Sequence, residues 1–354
     1  MNNLFIMHTQ YNLILSVATM QKFIDATNTL VLYAEFSLSN EMHHTLTNLF
    51  DNVIVVRDKF IPLMKPLDEI KYIKRCMKKI EPIRNKKFDN IFMSQERIFD
   101  MIVCARAKKC NPDARCYNIE EDAYYSINEK YDDNYIHIEN SRTKLRKFLF
   151  AFLLIGYPYN YKDIHYCYGM SEEYDCANLL FPKLARKELL SKELIEITQE
   201  ELLSGINALY ANATVDYPDG QKYTVIFFDL VSRYKNAETV KKIVKKIVYA
   251  SQMSGRTILV KYHPRENNKF EGIKQTFELQ HIIPAEKVLF DLQGTDTIVV
   301  GNATTSCIVA AKLKYKVISI SKIEFPNNKK MHNAMEKMGI LCAENTDQIT
   351  SIVK

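Results

Sequence analysis

Short apolar runs alternate with longer amphipathic ones along most of the chain. NNLFIMHT (2–9) predicts a buried strand and YNLILSVATMQKFID (11–25) the helix that follows it. TLVLYAEF (29–36), NVIVVRD (52–58), NIFMSQ (90–95) and ARCYNIEED (114–122) predict further strands. Between them MHHTLTNLF (42–50), a basic helical stretch and DMIVCARAKKC (100–110) predict helices, and residues 125–205 read as mostly helical. GINALYANATVDYPDGQ (205–221) has Gly, Pro, Asp-Gly and no period, which predicts a connector. The alternation then restarts with YTVIFFDL (223–230), the helix NAETVKKIVKKIVYASQMSG (236–255) and the strand TILVKYH (257–263). In that helix Val240, Ile243, Val244, Ile247 and Val248 form the apolar stripe, and Gly255 stops it. KVLFDL, DTIVVG and KVISIS are read as the remaining strands, with short helices between them.

Strand–helix alternation of this kind calls for parallel sheets covered on both faces. The expected fold class is α/β, two doubly wound, Rossmann-like domains with a cleft between them. The expected division is into residues 1–212 and residues 213–354. Ligands of such sheets bind beyond the carboxyl ends of the strands.

Composition changes this picture little. The 354 residues are 47% hydrophobic and 25% charged, as expected of a globular chain with a real core. Eight cysteines at irregular spacings, with no CxxC pair, point to reduced thiols rather than a disulfide scaffold or a structural zinc site. No signal peptide is expected, and no apolar stretch reaches the ~18 residues that cross a bilayer. The location expected is the cytoplasm. FLFAFLLIGY (148–157), led by the basic SRTKLRK (141–147), reads as a buried helix or as one lying on an anionic membrane face. The net charge of +6 and a second basic run, IKYIKRCMKKIEPIRNKK (70–87), keep peripheral contact with the inner face of an anionic plasma membrane open. That charge also suits phosphate-bearing ligands. Few aromatics interleave it and no nucleic-acid motif is present, so no nucleic-acid partner is expected.

Several polar groups fall at predicted strand ends. Glu120, Glu121 and Asp122 close ARCYNIEED; clustered carboxylates raise each other's proton affinity toward that of a general base, though a helix cap or solvated turn explains them too. His263 ends TILVKYH between Lys261 and Arg265, and Pro264 restricts it to extended backbone, which suits holding a phosphate. GNATTSC (301–307) offers hydroxyls and free amides at a helix start, an anion site or simple capping by Thr304 or Thr305. Glu286, in IIPAEKVL (282–289), is placed to accept from a ribose diol or to favour a helix start. The chain has no P-loop and no GxGxxG, so no cofactor is expected, and carboxylate pairs such as Asp132-Asp133 are too scattered to nominate a metal site.

The order of these elements resembles the bacterial sialyltransferases of the two-domain GT-B type: the lipooligosaccharide and capsular sialyltransferase family and its polysialyltransferase relatives. The opening MHTQYNLILSVATM is similar too. The resemblance spans most of the chain through short motifs. It implies metal-independent, inverting transfer of sialic acid from CMP-sialic acid to a glycan acceptor of lipooligosaccharide or capsule. The family's acidic pair before Gly falls on Glu121-Asp122, with Ala123 in place of the Gly; one of the two would be the base. Asp229 matches the base of other relatives. His263-Pro264 would supply the phosphate ligand and general acid, with Lys261, Arg265, Asn302 and Thr304 around the nucleotide. Thr305-Ser306 would bind the phosphate and Glu286 the ribose. Rival readings are a CDP-polyol phosphotransferase of teichoic-acid type, which usually has Asp-Tyr where this chain has Asn302-Ala303-Thr304, a CMP-Kdo transferase, and a non-catalytic binding protein.

Overall fold

A computed structural model describes residues 1–57, 66–95, 97–121, 169, 171 and 173–354. The described residues divide into two compact units, one up to Leu209 and one of Tyr210–Lys354.

The first unit is built on a seven-stranded parallel sheet. Its strands are β1 (Asn2–Met7), β2 (Thr27–Tyr33), β3 (Asn52–Arg57), β4 (Asn90–Met93), β5 (Arg115–Ile119), β6 (Cys176–Leu179) and β7 (Glu193–Glu196). Their order in the sheet is β3-β2-β1-β4-β5-β6-β7. The described helices are α1 (Gln10–Met20), α2 (Asn40–Leu49), α3 (Pro66–Lys79), α4 (Ile98–Cys110) and α5 (Gln199–Tyr210). Parallel strands buried on both faces are continuous apolar runs, and β1, β2 and β4 are buried almost throughout. In-register Phe5, Phe92 and Tyr117 stack across three strands at centroid separations of 4.4 and 4.6 Å. The polar residues of these strands are also paired. Asn3 donates to Asn28 and Asn90 to Asn3, both at 2.9 Å, a buried amide ladder across β2, β1 and β4. Where α5 crosses α1, a Cβ on Gly205 would come within 2.6 Å of the Ile14 carbonyl oxygen, so only glycine permits that approach.

The second unit has a six-stranded parallel sheet of order β10-β9-β8-β11-β12-β13. Its strands are β8 (Lys222–Phe227), β9 (Thr257–Lys261), β10 (Phe277–Glu278), β11 (Asp296–Gly301), β12 (Lys316–Ser319) and β13 (Ile340–Cys342). Helices α6 (Ala237–Met253), α7 (Ala285–Asp291), α8 (Thr305–Lys312), α9 (Ser321–Glu324), α10 (Lys329–Lys337) and α11 (Thr346–Val353) complete it. In α6 the stripe Val240, Ile243, Val244, Ile247 and Val248 is buried, and Asn236 caps the helix on the Thr239 N–H at 3.0 Å.

The structure corrects the sequence reading in three places. CANL and ELIE are strands β6 and β7 inside a stretch expected to be helical. α5 continues to Tyr210, into the expected connector. KVLFDL lies in α7 rather than in a strand, because a short apolar run carries no period that separates the two. Asp122, Ala123, Asp132, Asp133 and the segments 141–147 and 148–157 lie outside the described residues. Among the described residues no helix is long and apolar enough to cross a membrane.

Candidate functional site

In a sheet of order 3-2-1-4, the connections from strands 1 and 4 leave on opposite faces and open a crevice at their carboxyl ends. In the first unit that point lies between β1 and β4, and in the second between β8 and β11.

At the first switch point β1 runs into His8 and β4 into Ser94 and Gln95, and β5 beside β4 ends on Glu120 and Glu121. Both oxygens of Glu120 are engaged, Oε1 accepting from the Tyr11 hydroxyl at 2.9 Å and Oε2 from the Leu180 N–H at 3.3 Å. Glu121 is held on one side only. Its Oε1 accepts from Gln95 Nε2 at 2.7 Å, while Oε2 is buried with no hydrogen-bond partner among the described residues. Burial of the carboxyl pushes its pKa up to about 8, against the opposing pull of the Asn12 and Gln95 amides and the Arg97 guanidinium. Arg97 itself is paired with Glu35. Of the three adjacent carboxylates, Glu121 is therefore the described one with an oxygen still available for a proton.

At the second switch point Asp229 lies just past β8, His263 past β9 and Asn302 past β11. The His263 Nδ1 accepts from the Arg265 N–H at 3.1 Å, which leaves the proton on Nε2 as a donor. Burial first, then Arg265, lowers the His263 pKa to about 4, so the free protein holds the ring neutral. Asp229 Oδ1 accepts from its neighbour Leu230 N–H at 2.7 Å and from Arg233 at 3.3 Å. Its own N–H donates to the Tyr234 hydroxyl at 2.9 Å. Both bonds to the carboxylate fall on Oδ1, so Asp229, like Glu121, is held through one carboxylate oxygen. Pro264 and Arg265 are exposed.

Thr304 caps α8, its hydroxyl accepting from the Cys307 N–H at 3.4 Å, and Thr305 and Ser306 form the partly exposed first turn. Asn302 is 6% exposed, and its Oδ1 has no partner among the described residues. A side chain at Gly301 would come within 2.6 Å of Cys307 Sγ, so the close passage of β11 into α8 requires glycine. Lys261 and Glu286 are turned inward. Lys261 Nζ donates to the Gln280 carbonyl at 3.3 Å, and burial lowers its pKa to about 8 with Glu286 opposing. Burial raises the Glu286 carboxyl.

Sequence reasoning missed four contributors. Glu266 accepts from the Val231 and Asn268 N–H groups and so ties the His263 loop to the Asp229 loop. Gln95, Arg97 and the His8–Asp100 pair surround or support Glu121 and lie 20 or more positions from it. Of these, only His8 and Gln95 stand just past predicted strand cores, and nothing local points to Arg97 or Asp100.

Solved structures of the same fold include a UDP-GlcNAc 2-epimerase from Neisseria meningitidis, with TM-score 0.53 and 10% identity over 99% of this chain and 90% of that one. The glycotransferase of kitacinnamycin superposes with TM-score 0.53 and 9% identity over 99% and 89%. The GT-B domain of a sialyltransferase from Photobacterium damselae gives 0.51 and 12% over 96% and 99%. Together with the two parallel sheets, these neighbours define a two-domain α/β protein of the GT-B fold. No protein-family model matches the chain, and no curated protein is similar to it in sequence.

Proposed function

We propose that the protein is a glycosyltransferase that moves sialic acid from CMP-sialic acid to a hydroxyl of a glycan acceptor, with inversion. The observation that carries this reading is the grouping at the second unit's switch point. A His263 Nε2–H donor past β9 and the α8 amides and hydroxyls at Thr305 and Ser306 past β11 lie at carboxyl ends on either side of β8. Such donors suit a nucleotide phosphate at a helix amino terminus. Glu121, in its ionised form, takes the proton of the acceptor hydroxyl, whose oxygen attacks the anomeric carbon. The bond from that carbon to the phosphate oxygen breaks, and CMP departs with its new negative charge. The bound donor's phosphate anion raises the proton affinity of His263 from its low free value, so the ring takes up a proton from water, and the imidazolium then passes that proton to the departing phosphate. A donor with one phosphate needs no divalent ion to neutralise it. The Photobacterium protein of this fold is a sialyltransferase, which adds support.

A donor screen tests the reading. CMP release in the presence of EDTA is expected from CMP-sialic acid and is expected to fall at least a hundredfold in His263→Ala. Release from CMP-Kdo or CDP-glycerol instead would sink the sialic acid assignment in favour of those transferases. The neighbouring epimerases act on UDP-GlcNAc, so that compound belongs in the screen, and its epimerisation would replace the reading altogether. Peripheral contact with an anionic membrane is part of the same proposal. It is supported by the exposed Lys71, Lys74, Arg75 and Lys78 on one side of α3. Equal recovery with and without anionic liposomes in a flotation assay removes it.

A further inference from the structure

One fully buried polar pair among the described residues of the first unit, His8 and Asp100, has no part in the chemistry proposed above. His8 Nε2 and Asp100 Oδ1 are 2.8 Å apart, and both side chains are fully buried. His8 is the residue after β1, and Asp100 is the third residue of α4. The second carboxylate oxygen, Oδ2, accepts from the Arg97 N–H at 3.2 Å, closing the first turn of the helix. One carboxylate therefore joins the end of β1 to the start of α4. Gln95, whose amide donates to Glu121 Oε1, stands just past β4 and two residues before Arg97, where that turn begins.

We propose that His8 and Asp100 are a positioning pair for Glu121: they lock the β4–α4 turn so that Gln95 holds one carboxyl oxygen and leaves Oε2 for the proton. The pair touches no substrate. A buried hydrogen bond of this kind adds little net stability, whereas loss of one partner leaves the other unsatisfied and is costly. A role in fixing geometry accounts for its retention, and it leaves the base anchored from a packed strand–helix junction rather than from a loose loop. Among the described residues, the other charged or titratable groups around Glu121 are Glu35 and Arg97, paired with each other, and Glu120 with Tyr11. The inference rests on the reading of Glu121 as the base.

The test follows the Glu121 carboxyl carbon by NMR through a pH titration, with the acid limb of kcat/KM for CMP release measured in parallel. Gln95→Leu removes the donor, and Asp100→Ala removes both bonds of the latch. Asp100→Asn keeps an acceptor for the Arg97 N–H and pairs with the other tautomer of His8. Gln95→Leu and Asp100→Ala are expected to raise the titration midpoint by about one pH unit, a tenfold gain in proton affinity. Asp100→Asn returns it most of the way, and the double variant moves it no further than either single one. An Asp100→Ala protein that melts earlier with an unmoved midpoint overturns the proposal. Should that variant not fold, an unmoved midpoint in Gln95→Leu does the same. A shifted titration with no change in the rate profile retains the latch and rejects the base role, so the two failures are distinguishable.

Discussion

Glu121 and His263 depart from their usual charge in opposite chemical senses and for the same reason: burial disfavours whichever form is ionised. For Glu121 the consequence for stability has a definite sign. Between the ordinary value of 4.5 and the folded value of about 8, the unfolded chain binds fewer protons than the folded one. Stability is therefore full below that window and is lost as pH rises through it, at about 1.4 kcal/mol for each unit of the gap. Glu121→Gln removes this titration, so its melting temperature relative to the parent is expected to climb steadily from pH 5 to 8. Parallel melting curves across that range would show that the carboxyl is not held protonated. His263 was legible in the sequence because Pro264 marks its backbone and two cations flank it. Glu266 was not, since nothing in ENN announces that its carboxylate reaches Val231. His8 and Asp100 are 92 positions apart, and no local pattern couples them.

At the scale of elements, strands with β-branched or aromatic runs were readable because burial on both faces removes any need for polar alternation. LFIM, TLVLY, VIVV and TVIF all belong to strands. CANL and ELIE were missed because each strand has only four residues, and the first contains no β-branched side chain at all. Nothing in the sequence marks the asparagines of β1, β2 and β4 as partners, and the amide ladder gives them a task. Asn3 both donates to Asn28 and accepts from Asn90. Asn3→Ala strands two buried amide groups at once, at about 1–3 kcal/mol each. Urea unfolding is expected to lose roughly 2–5 kcal/mol with an unchanged m-value. A loss below about 1 kcal/mol would show that water replaces the ladder at no cost. Gly301→Ala offers a second check, since the added methyl meets Cys307 Sγ and the Phe227 carbonyl. It is expected to weaken CMP binding as well as stability, because the strain falls on the turn that presents Thr304–Ser306. A variant with parental CMP affinity would separate that turn from the nucleotide.

Across the whole molecule, two sheets of the same strand logic carry different chemistry at equivalent points. The first unit's switch point presents a carboxyl with one unpartnered oxygen. The second presents an imidazole N–H, hydroxyls and helix amides. A nucleotide phosphate favours the second set, because amides and N–H groups complement an anion and a buried carboxyl repels one. CMP alone should therefore engage the six-stranded unit. At a hundred times its dissociation constant it stabilises the folded state by about 2.7 kcal/mol. Hydrogen exchange with and without CMP is expected to slow at 228–231, 263–266 and 302–307, with the amides of the seven-stranded unit unchanged. His263→Ala is expected to abolish the protection and Glu121→Gln to preserve it. Protection appearing instead at 8–12 and 94–97 would transfer the nucleotide to the first unit and undo the assignment of His263, because a base site and a phosphate site cannot share the same buried carboxyl.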